Sequence, residues 1–576
     1  MAALFYFSKR IIIPVNLLFI FSLLFLVRVF LAPVQVLAQT PNWTWASSAG
    51  ESSSDYGNSI YTDANDNTYA TGYFSQSITF GSTTLSDAGG NDIYLVKYNN
   101  QGIVVWAKSF GGSGLDYAEN IVCDANGNII LTGAFRSESI NFGSFSLPNP
   151  NSGNGYSTFF ITKLNADGDV LWASTATSDG NCWGSDVDTD NNGNIVVTGS
   201  FDGASVAFGT TTLNNTYQFF ADIFLVKYNA SGEVLWAQSF GGNSYDYASG
   251  VATDNNGNIN LIGMFQSPEI TFGVTTFTNT GGQDYFIVHF NTDGLIDWLR
   301  NAPGDGDDRP SGITTNPSGD ILVSGIYSGS SITFGMNTLP GNGYDNIFIL
   351  KYSQAGAIQW IQSAAGSEND EAYAIAADKD GNVLVTGEFE SEQLTFEGSF
   401  TVYNSSPGYS DLFVIKIDPS GTVKWATSAG GNDSDFGSDI STNSAGNTLI
   451  TGSFYSSSIL FGSTNLVNAN SSNNSTDYFI AKLNSTTGID ETFLSGDGII
   501  CPNPANQWFT IQSLVYYTGN AKIELYDLNG KRLLNKNIPK GTEEKEIDVS
   551  SLECGVYCVR LQAGDKTVSK KLIIQR

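Results

Sequence analysis

One short segment recurs along this chain, and its placement restricts the fold more than any other feature. The segment VVWAKSFGG at 104–112 has five near-copies further along. One more copy, WTWASSAG, begins at Trp43, before any full repeat, and no copy follows the last repeat, which ends near Asn484. A strand that opens the array and is missing at its end predicts a ring closed by its own first strand.

Three markers keep the same spacing through most of the chain. A Thr-Gly dipeptide, with conservative variants, recurs at intervals of 61 to 66 residues, and a Phe-Gly pair such as Phe80-Gly81 follows it. The dipeptides begin at Thr71, Thr132, Thr198, Ile262, Ser324, Thr386 and Thr451, and the tryptophans in step with them are Trp45, Trp106, Trp172, Trp236, Trp298, Trp360 and Trp425. Regular periods of this length indicate a repeat architecture.

Each repeat has the composition of short strands joined by tight turns. Charged residues make up only 14% of the chain, aromatic residues 13%, and Gly contributes 62 of 576 residues. Clusters such as 190–194 (DNNGN) lie between apolar alternations, which is typical of a β-hairpin. The sequence therefore predicts an all-β fold of four or five strands in each repeat.

Counting the strands gives the expected architecture. If 43–48 pairs with 477–484, the array holds seven complete sheets, which predicts a seven-bladed β-propeller over residues 39–490. A linear solenoid is the alternative, but it needs polar end caps, and the sequence offers none.

The charge of the chain limits its partners. Lys and Arg number 26 against 56 Asp and Glu, so the formal net charge is −30. Such a surface repels nucleic acids and anionic membranes, and it attracts cations or basic surfaces if it has any charge-driven partner. Solubility outside a cell is the simpler explanation.

The first residues predict an export signal. Lys9 and Arg10 precede an apolar run, and 36–38 (VLA) fits a cleavage site. We expect residues 1–38 to be a signal peptide that is cleaved near Ala38.

The last residues form a different unit. From Cys501 the repeat markers stop, and residues 499–576 hold 11 Lys and Arg against 8 Asp and Glu. Alternating segments separated by turns predict a small Ig-like β-sandwich over 501–576, after a linker at 491–500. A disulfide between Cys501 and either Cys554 or Cys558 fits an exported protein, and the pairing stays open.

Both units resemble known families. The W-A-x-S-x-G-G, D-x-x-G-N and T-G-x-F elements of the repeats resemble SBBP-type β-propeller repeats of secreted bacterial proteins, a resemblance that implies a fold and no activity. The tail resembles the type A C-terminal sorting domain of the Bacteroidota type IX secretion system. The matching residues are Pro502, Asn503, Pro504, Leu525, Tyr526, Asp527, Asn529, Gly530, Lys531, Gly555, Val556, Tyr557, Lys570, Lys571 and Leu572.

The sorting resemblance implies a destination. Proteins with such domains are read by the type IX translocon and its sortase, and many are attached to surface lipopolysaccharide. The resemblance therefore implies a secreted or outer cell-surface protein.

Residues for catalysis are scarce. The single histidine, His289, occupies a slot that holds Lys in six other repeats, so a structural role is the simpler interpretation. If His289 is structural, the sequence has no other His from which a Ser-His-Asp or Cys-His arrangement could be built. We expect no enzyme, with a carboxylate-based glycoside hydrolase as the alternative, since acids are abundant.

A repeated acid is the sequence's best candidate for a ligand site. It occupies the same slot in six repeats, with Cys182 in the third repeat. The six residues are Asp55, Asp116, Asp246, Asp308, Asp370 and Asp435. If the strand that follows is innermost, these carboxylates ring one mouth of a channel and could bind a divalent cation or a cationic ligand. The alternative is that each Asp accepts hydrogen bonds from the backbone of its own link.

These observations predict a binding or adhesion protein that needs no cofactor, apart from the cation considered above. The stretches 146–158, 214–221 and 467–476 are rich in Asn, Ser, Tyr and Gly, a composition that suits contacts with a glycan or a protein. A hydrolase and a purely structural surface-layer component are the alternative functions.

Overall fold

The computed structural model describes residues 41–396, 400–471, 475–485, 499–501, 505–512, 521–526, 531–538, 544–553, 555–563 and 566–574. The predicted signal peptide lies outside these residues, as do most of the predicted linker, the motif Pro502, Asn503 and Pro504, and Cys554. The chain divides into two compact units between Asn484 and Ser485.

The described part of the first unit is built from strands and one short 3-10 helix (Ser152–Asn154). The strands that precede the third sheet are β1 (Trp43–Ala49), β2 (Asp55–Thr62), β3 (Thr68–Phe80), β4 (Thr83–Tyr98), β5 (Val104–Phe110), β6 (Asp116–Cys123), β7 (Ile129–Phe135), β8 (Ser139–Phe142), β9 (Phe145–Pro148), β10 (Thr158–Leu164), β11 (Val170–Thr175) and β12 (Thr177–Ser178).

The middle of the unit repeats this order. Its strands are β13 (Cys182–Thr189), β14 (Ile195–Phe201), β15 (Ser205–Phe208), β16 (Thr211–Asn214), β17 (Asp222–Tyr228), β18 (Val234–Phe240), β19 (Asp246–Thr253), β20 (Ile259–Phe265), β21 (Glu269–Phe272), β22 (Thr275–Thr278), β23 (Asp284–Phe290) and β24 (Ile296–Ala302).

The order continues to the end of the unit. The remaining strands are β25 (Asp308–Thr315), β26 (Ile321–Tyr327), β27 (Ser331–Phe334), β28 (Asn337–Pro340), β29 (Asn346–Tyr352), β30 (Ile358–Ala365), β31 (Asp370–Ala377), β32 (Val383–Phe389), β33 (Gln393–Phe396), β34 (Phe400–Tyr403), β35 (Asp411–Ile417), β36 (Val423–Ala429), β37 (Asp435–Thr442), β38 (Thr448–Phe454), β39 (Ser458–Phe461), β40 (Thr464–Val467) and β41 (Asp477–Leu483).

Seven sheets of the first unit share one antiparallel order of four strands. We number them 1 to 7 by their first strands, which are β2, β6, β13, β19, β25, β31 and β37. In sequence, a short hairpin such as β8 with β9 follows the second strand and precedes the third in sheets 2 to 7; in sheet 1 it is continuous with β3 and β4. The hairpin of sheet 6, β33 with β34, also pairs with β30 and so extends sheet 5.

The opening strand completes the last sheet, as the sequence predicts. Strand β1 pairs antiparallel with β41, with Ala46 opposite Ala481 and Ala49 opposite Tyr478. Each first strand also contacts the first strand of the next sheet, and β37 contacts β2. The N–H of Thr62 donates to Oγ of Ser441 across this last junction at 3.0 Å. The ring is therefore closed without a covalent link.

The hairpin turns show why Asp, Asn and Gly recur. Oδ1 of Asp124 accepts the N–H groups of Asn126 and Asn128, both at 2.9 Å, and Gly127 lies between them at φ +77°. Equivalent acceptors are Asp63, Asp190, Asp254, Asn316, Asp378 and Asn443. A side chain that replaces backbone acceptors in this way fixes the turn locally.

The Thr-Gly marker joins three strands. Oγ1 of Thr71 donates to the carbonyl of Tyr94 on the third strand at 2.7 Å. A Cβ on Gly72 would lie 1.9 Å from the carbonyl oxygen of Tyr56, where the first strand has a bulge. Glycine is required because the bulged backbone approaches so closely.

The tryptophan marker joins neighbouring sheets. Trp172 of sheet 2 packs on Gly232 in a turn of sheet 3, where an added Cβ would lie 2.9 Å from the indole ring. Its Nε1 donates to the carbonyl of Ala230 at 3.3 Å. The other tryptophan–glycine contacts are Trp45 with Gly102, Trp106 with Gly168, Trp236 with Gly294, Trp298 with Gly356 and Trp360 with Gly421.

The repeated lysine is also a structural device. Nζ of Lys163 lies 2.9 Å from Oδ2 of Asp124 in its own sheet and also donates to the carbonyl of Ala230 in the next sheet. The same buried pairing joins Lys227 with Asp190, Lys351 with Asp320 and Lys416 with Asp378. Two buried charges are satisfied in this way while the sheet is tied to its neighbour.

The second unit has two antiparallel sheets. Its strands are β42 (Ile499–Cys501), β43 (Trp508–Gln512), β44 (Ala521–Tyr526), β45 (Arg532–Ile538), β46 (Glu544–Asp548), β47 (Gly555–Ala563) and β48 (Lys566–Ile574). The orders are β42-β43-β46 and β45-β44-β47-β48. Phe509 and Ile547 of one sheet share a core with Leu525 and Leu572 of the other, so the sheets pack face to face.

No helix in the described part of the chain is long and apolar enough to span a membrane.

Candidate functional site

The seven first strands all begin at the same end of the ring, and we call this end the mouth. Six of them begin with the predicted aspartates, Asp55, Asp116, Asp246, Asp308, Asp370 and Asp435, and that of sheet 3 begins with Cys182. These first strands contact one another around the ring.

The carboxylates of these six aspartates are not open to the mouth. Each of the six residues is 0% exposed. Oδ2 of Asp116 accepts the N–H of Gly112 and the hydroxyl of Ser137, and Oδ1 accepts the N–H of Ser137. Asp246 makes the same contacts with Gly242 and Ser267. These carboxylates therefore hold the links between sheets, which is the alternative role that the sequence allows; Asp308 is buried without such contacts from the described residues.

A second aspartate is close to most of these carboxylates. It lies on the third strand of the preceding sheet, as in Asp92 beside Asp116 and Asp411 beside Asp435. Burial, with a smaller effect of the neighbouring charge, raises the pKa of Asp92 to about 7 and that of Asp435 to about 8. A carboxyl group with such a pKa holds its proton more readily than an exposed one.

A collar of exposed carboxylates is therefore absent at the six predicted positions. In the described ranges no group of three or more His, Cys, Asp or Glu side chains is arranged to hold a metal ion. Cation binding by Asp55, Asp116, Asp246, Asp308, Asp370 and Asp435 stays a prediction without a supporting contact.

The residue after each of these aspartates, and after Cys182 in sheet 3, is the one that faces solvent at the mouth. It is half-buried in all seven sheets. Five of the seven residues are aromatic, and all seven are Tyr56, Tyr117, Trp183, Tyr247, Arg309, Glu371 and Phe436. Alternation along a strand puts the aspartate between the sheets and its neighbour on the opposite side.

Aromatic side chains from neighbouring strands extend this set. Tyr73 stacks on Tyr56 with ring centroids 4.7 Å apart and meets Tyr117 edge-on at 4.8 Å. The hydroxyl groups of Tyr56 and Tyr455 lie 2.9 Å apart, and Tyr455 lies against Phe436. These five rings connect sheets 7, 1 and 2.

A second group covers sheets 3 and 4. The ring centroid of Tyr247 lies 6.1 Å from that of Trp183 and 6.0 Å from that of Tyr245. Tyr245 in turn meets Phe220, which belongs to the predicted rim stretch 214–221, at 4.9 Å. We call the eight residues Phe436, Tyr455, Tyr56, Tyr73, Tyr117, Trp183, Tyr247 and Tyr245 the aromatic arc.

Sheets 5 and 6 interrupt the arc with charged side chains. Nη2 of Arg309 lies 3.2 Å from Oδ2 of Asp345. Glu371 stands opposite Glu388 on the adjacent strand, and the hydroxyl of Tyr373 donates a short hydrogen bond to Glu388. Burial raises the pKa of Glu371 to about 7, and the charge of Glu388 adds to the rise. Two acids that are not part of the repeat pattern thus meet at one place on the mouth.

Two cavities lie toward the opposite end of the ring. One of about 310 Å³ is lined by the later residues of all seven first strands, including Asp186, Asp188 and Asp439. Each of these carboxylates accepts backbone N–H groups, such as Val251 for Asp186 and Ile60 for Asp439. The other cavity, of about 330 Å³, lies among the hairpin turns of sheets 1 to 3.

The remaining reactive side chains have structural surroundings. Nδ1 of His289 lies 2.7 Å from Oδ1 of Asn260, its ring stacks on Trp298, and burial lowers its pKa. Cys123 and Cys182 are buried free thiols. A tail disulfide stays a prediction, because Cys554 lies outside the described residues.

The predicted secretion residues lie together where the structure describes them. Gly555, Val556 and Tyr557 begin β47, and Lys570 and Lys571 lie on β48, its direct partner. The hydroxyl of the buried Tyr557 donates to the carbonyl of Glu553 at 2.8 Å. Both strands lie within a segment of the chain that matches a known domain family.

Residues 499–575 match the model of the secretion system C-terminal sorting domain. They are a sorting domain. The sorting domain marks the protein as secreted or attached to the outer cell surface, and it implies export by the type IX secretion machinery and interaction with it.

Likeness elsewhere in the chain is weaker. An uncharacterized WD repeat-containing protein of Acanthamoeba polyphaga mimivirus is 23% identical over 517 residues, which is 73% of this chain and 37% of that protein. This chain therefore spans just over a third of that relative. The regulatory protein FlaEY of Caulobacter vibrioides is 26% identical over 17% of this chain and 10% of its own length.

Similar solved structures are distant. A puromycin hydrolase mutant has a TM-score of 0.38 and 11% identity, and the match covers 73% of this chain and 53% of that chain. Sqt1 from Chaetomium thermophilum has a TM-score of 0.31 and 11% identity over 71% of this chain and 84% of that chain. Neither likeness bears on activity.

Proposed function

We propose that the first unit is a seven-bladed β-propeller of the SBBP type that binds a ligand outside the cell. Seven sheets of one strand order, first strands in a closed ring and a tryptophan–glycine contact between successive sheets all support this architecture. The sorting domain, for which we propose an Ig-like sandwich, would deliver the propeller and allow its attachment to lipopolysaccharide.

The aromatic arc is the observation that carries the binding function. The arc brings eight large aromatic side chains together at the mouth, seven of them half-buried and Tyr245 exposed. Exposed rings on a rigid ring of strands offer contact area at a low cost in side-chain entropy. A glycan or a protein is the ligand class that such a surface suits.

Arrays of glycans and of proteins, probed with the full chain, test this function. We expect selective retention by one class of ligand. The double variant Tyr117→Ser/Trp183→Ser should lose most of it, whereas Tyr403→Ser, an exposed tyrosine outside the arc, should keep it. Retention of nothing, or equal binding by both variants, would contradict the proposal.

A glycoside hydrolase is a second candidate because Glu371 and Glu388 meet at the mouth. The raised pKa of Glu371 suits a general acid, and Glu388 is near enough to act as its partner. Release of the chromophore from nitrophenyl glycosides by the full chain, lost in Glu371→Gln and kept in Asp167→Asn, an exposed acid at the opposite end of the ring, would favour this candidate. No release across a broad panel would favour binding alone.

A further inference from the structure

The aromatic arc carries negative charge around it. Glu119 lies two residues after Tyr117 on β6 with its side chain accessible to solvent, although the surrounding strands raise the pKa of its carboxyl group. The carboxylate of Asp202 accepts hydrogen bonds from Asn181, two residues before Trp183, at 2.6 and 2.8 Å. Asp433 adjoins Ser434, whose carbonyl accepts the N–H of Tyr455 at 2.9 Å. Each part of the arc therefore has a carboxylate beside it.

Cations are few at the same end. Arg309 is paired with Asp345 at 3.2 Å, and the side chain of Arg136 donates to Oγ of Ser157. The whole chain has 26 Lys and Arg against 56 Asp and Glu, so longer-range charges reinforce the local ones. A negative surface with exposed rings favours a positively charged occupant.

Other tryptophan and tyrosine rings of the protein already carry a cation. Lys97 lies over Tyr69 at 5.1 Å from the ring centroid, Lys108 over Trp106 at 5.6 Å and Arg300 over Trp298 at 5.4 Å. Among the described residues, no such cation is found over a ring of the aromatic arc. The mouth thus combines the two features that bind ammonium and guanidinium groups, π faces and nearby carboxylates, and Arg136, whose charge acts on Tyr117, lies over no ring face of the arc.

We propose that the aromatic arc binds lysine or arginine side chains of a basic segment of another protein. Ring faces would hold the cationic groups by cation–π attraction, and Glu119, Asp202 and Asp433 would pair with them at the edge. This inference rests on the proposed binding function and names the partner class. A neutral glycan would use the rings alone and would gain nothing from the charge.

Titration of the full chain with two synthetic peptides tests the inference. One peptide alternates Lys with Ser, and the other has Gln at every Lys position. We expect measurable affinity for the lysine peptide only, and a marked loss when sodium chloride is raised from 50 to 500 mM, because the attraction is electrostatic. Equal affinity for the glutamine peptide, no affinity for the lysine peptide or indifference to salt would overturn the inference.

Variants distinguish binding of the peptide at the aromatic arc from its general attraction to an acidic protein. Tyr247→Leu removes a π face and should weaken binding about tenfold, whereas Tyr247→Phe keeps the face and should bind as the parent does. Glu119→Gln should weaken binding, and Asp167→Asn, which removes an exposed charge at the opposite end of the ring, should not. If Asp167→Asn weakens binding as much as Glu119→Gln, the arc is not the site.

Two further arms complete the design. Tyr117→Leu and Tyr117→Phe repeat the comparison in the other half of the arc, in case Tyr247→Leu lowers the melting temperature. Neutral oligosaccharides on the same instrument distinguish the two levels of the proposal. Salt-insensitive binding to them, with none to the lysine peptide, would sink the cationic partner and leave the binding function standing.

Discussion

At the scale of single residues, burial decides what the repeated aspartates do. A strand places successive side chains on opposite sides, so each aspartate enters the space between two sheets while its neighbour faces the mouth. Burial disfavours the charged form of Asp308. Neither of its carboxylate oxygens receives a hydrogen bond from the described residues, and burial raises its pKa to about 8. Such residues make the stability of the protein depend on pH in an unusual direction.

We predict that the melting temperature is higher at pH 5 than at pH 8. Burial raises the folded-state pKa of Asp55, Asp308 and Asp435 to about 8, so these groups hold protons that the unfolded chain releases near its ordinary value of 3.8. Their contribution is fully present below that value and is lost as pH rises toward 8. Differential scanning calorimetry of the full chain measures the effect.

Asp308→Asn is the informative variant for this prediction. An amide cannot ionise, and the structure already has an amide, Asn346, at the third-strand position that holds Asp in five other sheets. The variant should raise the melting temperature at pH 8 more than at pH 5. A higher melting temperature of the parent at pH 8 than at pH 5 would contradict the account.

Carboxyl groups with lowered pKa values should make the folded protein less stable in strong acid. Lys163 and hydrogen bonds from Asn128 outweigh burial and lower the pKa of Asp124, and Lys424 helps to lower that of Asp418 to about 2. These contributions are present above the ordinary value and disappear as pH falls toward the folded-state pKa. Stability should therefore decline again in strong acid.

At the scale of elements, the repeat markers are contacts between strands and between sheets. In sheets 1 to 6, the glycine in the turn between the third and fourth strands both turns the chain and receives the tryptophan of the preceding sheet. A comparison of two glycines distinguishes the role in the turn from the role in the tryptophan contact. Gly232 has φ +83° and lies under Trp172, whereas Gly127 has φ +77° and nothing within 4 Å of an added Cβ.

We predict that Gly232→Ala destabilises the protein more than Gly127→Ala. Both substitutions bear the cost of a left-handed backbone at an alanine, about 1–2 kcal/mol. Only Gly232→Ala also pushes the indole ring away from the turn of sheet 3 and weakens the contact with sheet 2. The melting temperatures of the two variants measure this difference. Equal decreases in melting temperature would mean that the tryptophan contact contributes little to stability.

Much of the strand order could be predicted from the sequence, because the period-two alternation and the Asp, Asn and Gly turns are local signals. The pairing of β1 with β41 was also accessible, since it follows from which strand the last repeat lacks. The small hairpins were less clear. Their strands have four residues each, as in Ser139–Phe142, too few for a firm alternation.

The candidate site was harder to predict than the fold. The sequence shows that Asp55 and its equivalents recur, but a recurring residue is more often structural, and their burial depends on how sheets pack. The useful signal was the position after them, where Tyr56, Tyr117 and Trp183 vary in type yet stay aromatic. Tyr73 and Tyr455 belong to no such slot, so only the fold brings them to the mouth.

At the scale of the whole molecule, the two units have different roles. The sorting domain supplies export, and the ring supplies a rigid surface with one asymmetric end. Aromatic side chains cover the mouth over sheets 7 and 1 to 4, and charged ones over sheets 5 and 6. An asymmetric mouth on a symmetric ring is what ligand selectivity requires, because identical repeats would offer several equal sites.

Export should depend on the motif in the last strands. We predict that the double variant Lys570→Ala/Lys571→Ala accumulates inside the cell, whereas Lys536→Ala, which removes an exposed lysine elsewhere in the same sheet, reaches the outside. Immunoblots of medium, surface-digested cells and cell interior measure the distribution. Normal export of the double variant would show that these lysines are not read.

The closed ring is the claim on which the mouth and the binding proposal depend, and a designed disulfide tests it directly. Ala46 and Ala481 face each other across β1 and β41, so Ala46→Cys/Ala481→Cys should oxidise to a disulfide that joins residues 435 apart. Peptide mapping by mass spectrometry should find that link. The matched pair Ala107→Cys/Ala481→Cys should not form one, because Ala107 pairs with Val96 in sheet 1. Absence of the first link, or equal formation of the second, would contradict a ring closed by its opening strand.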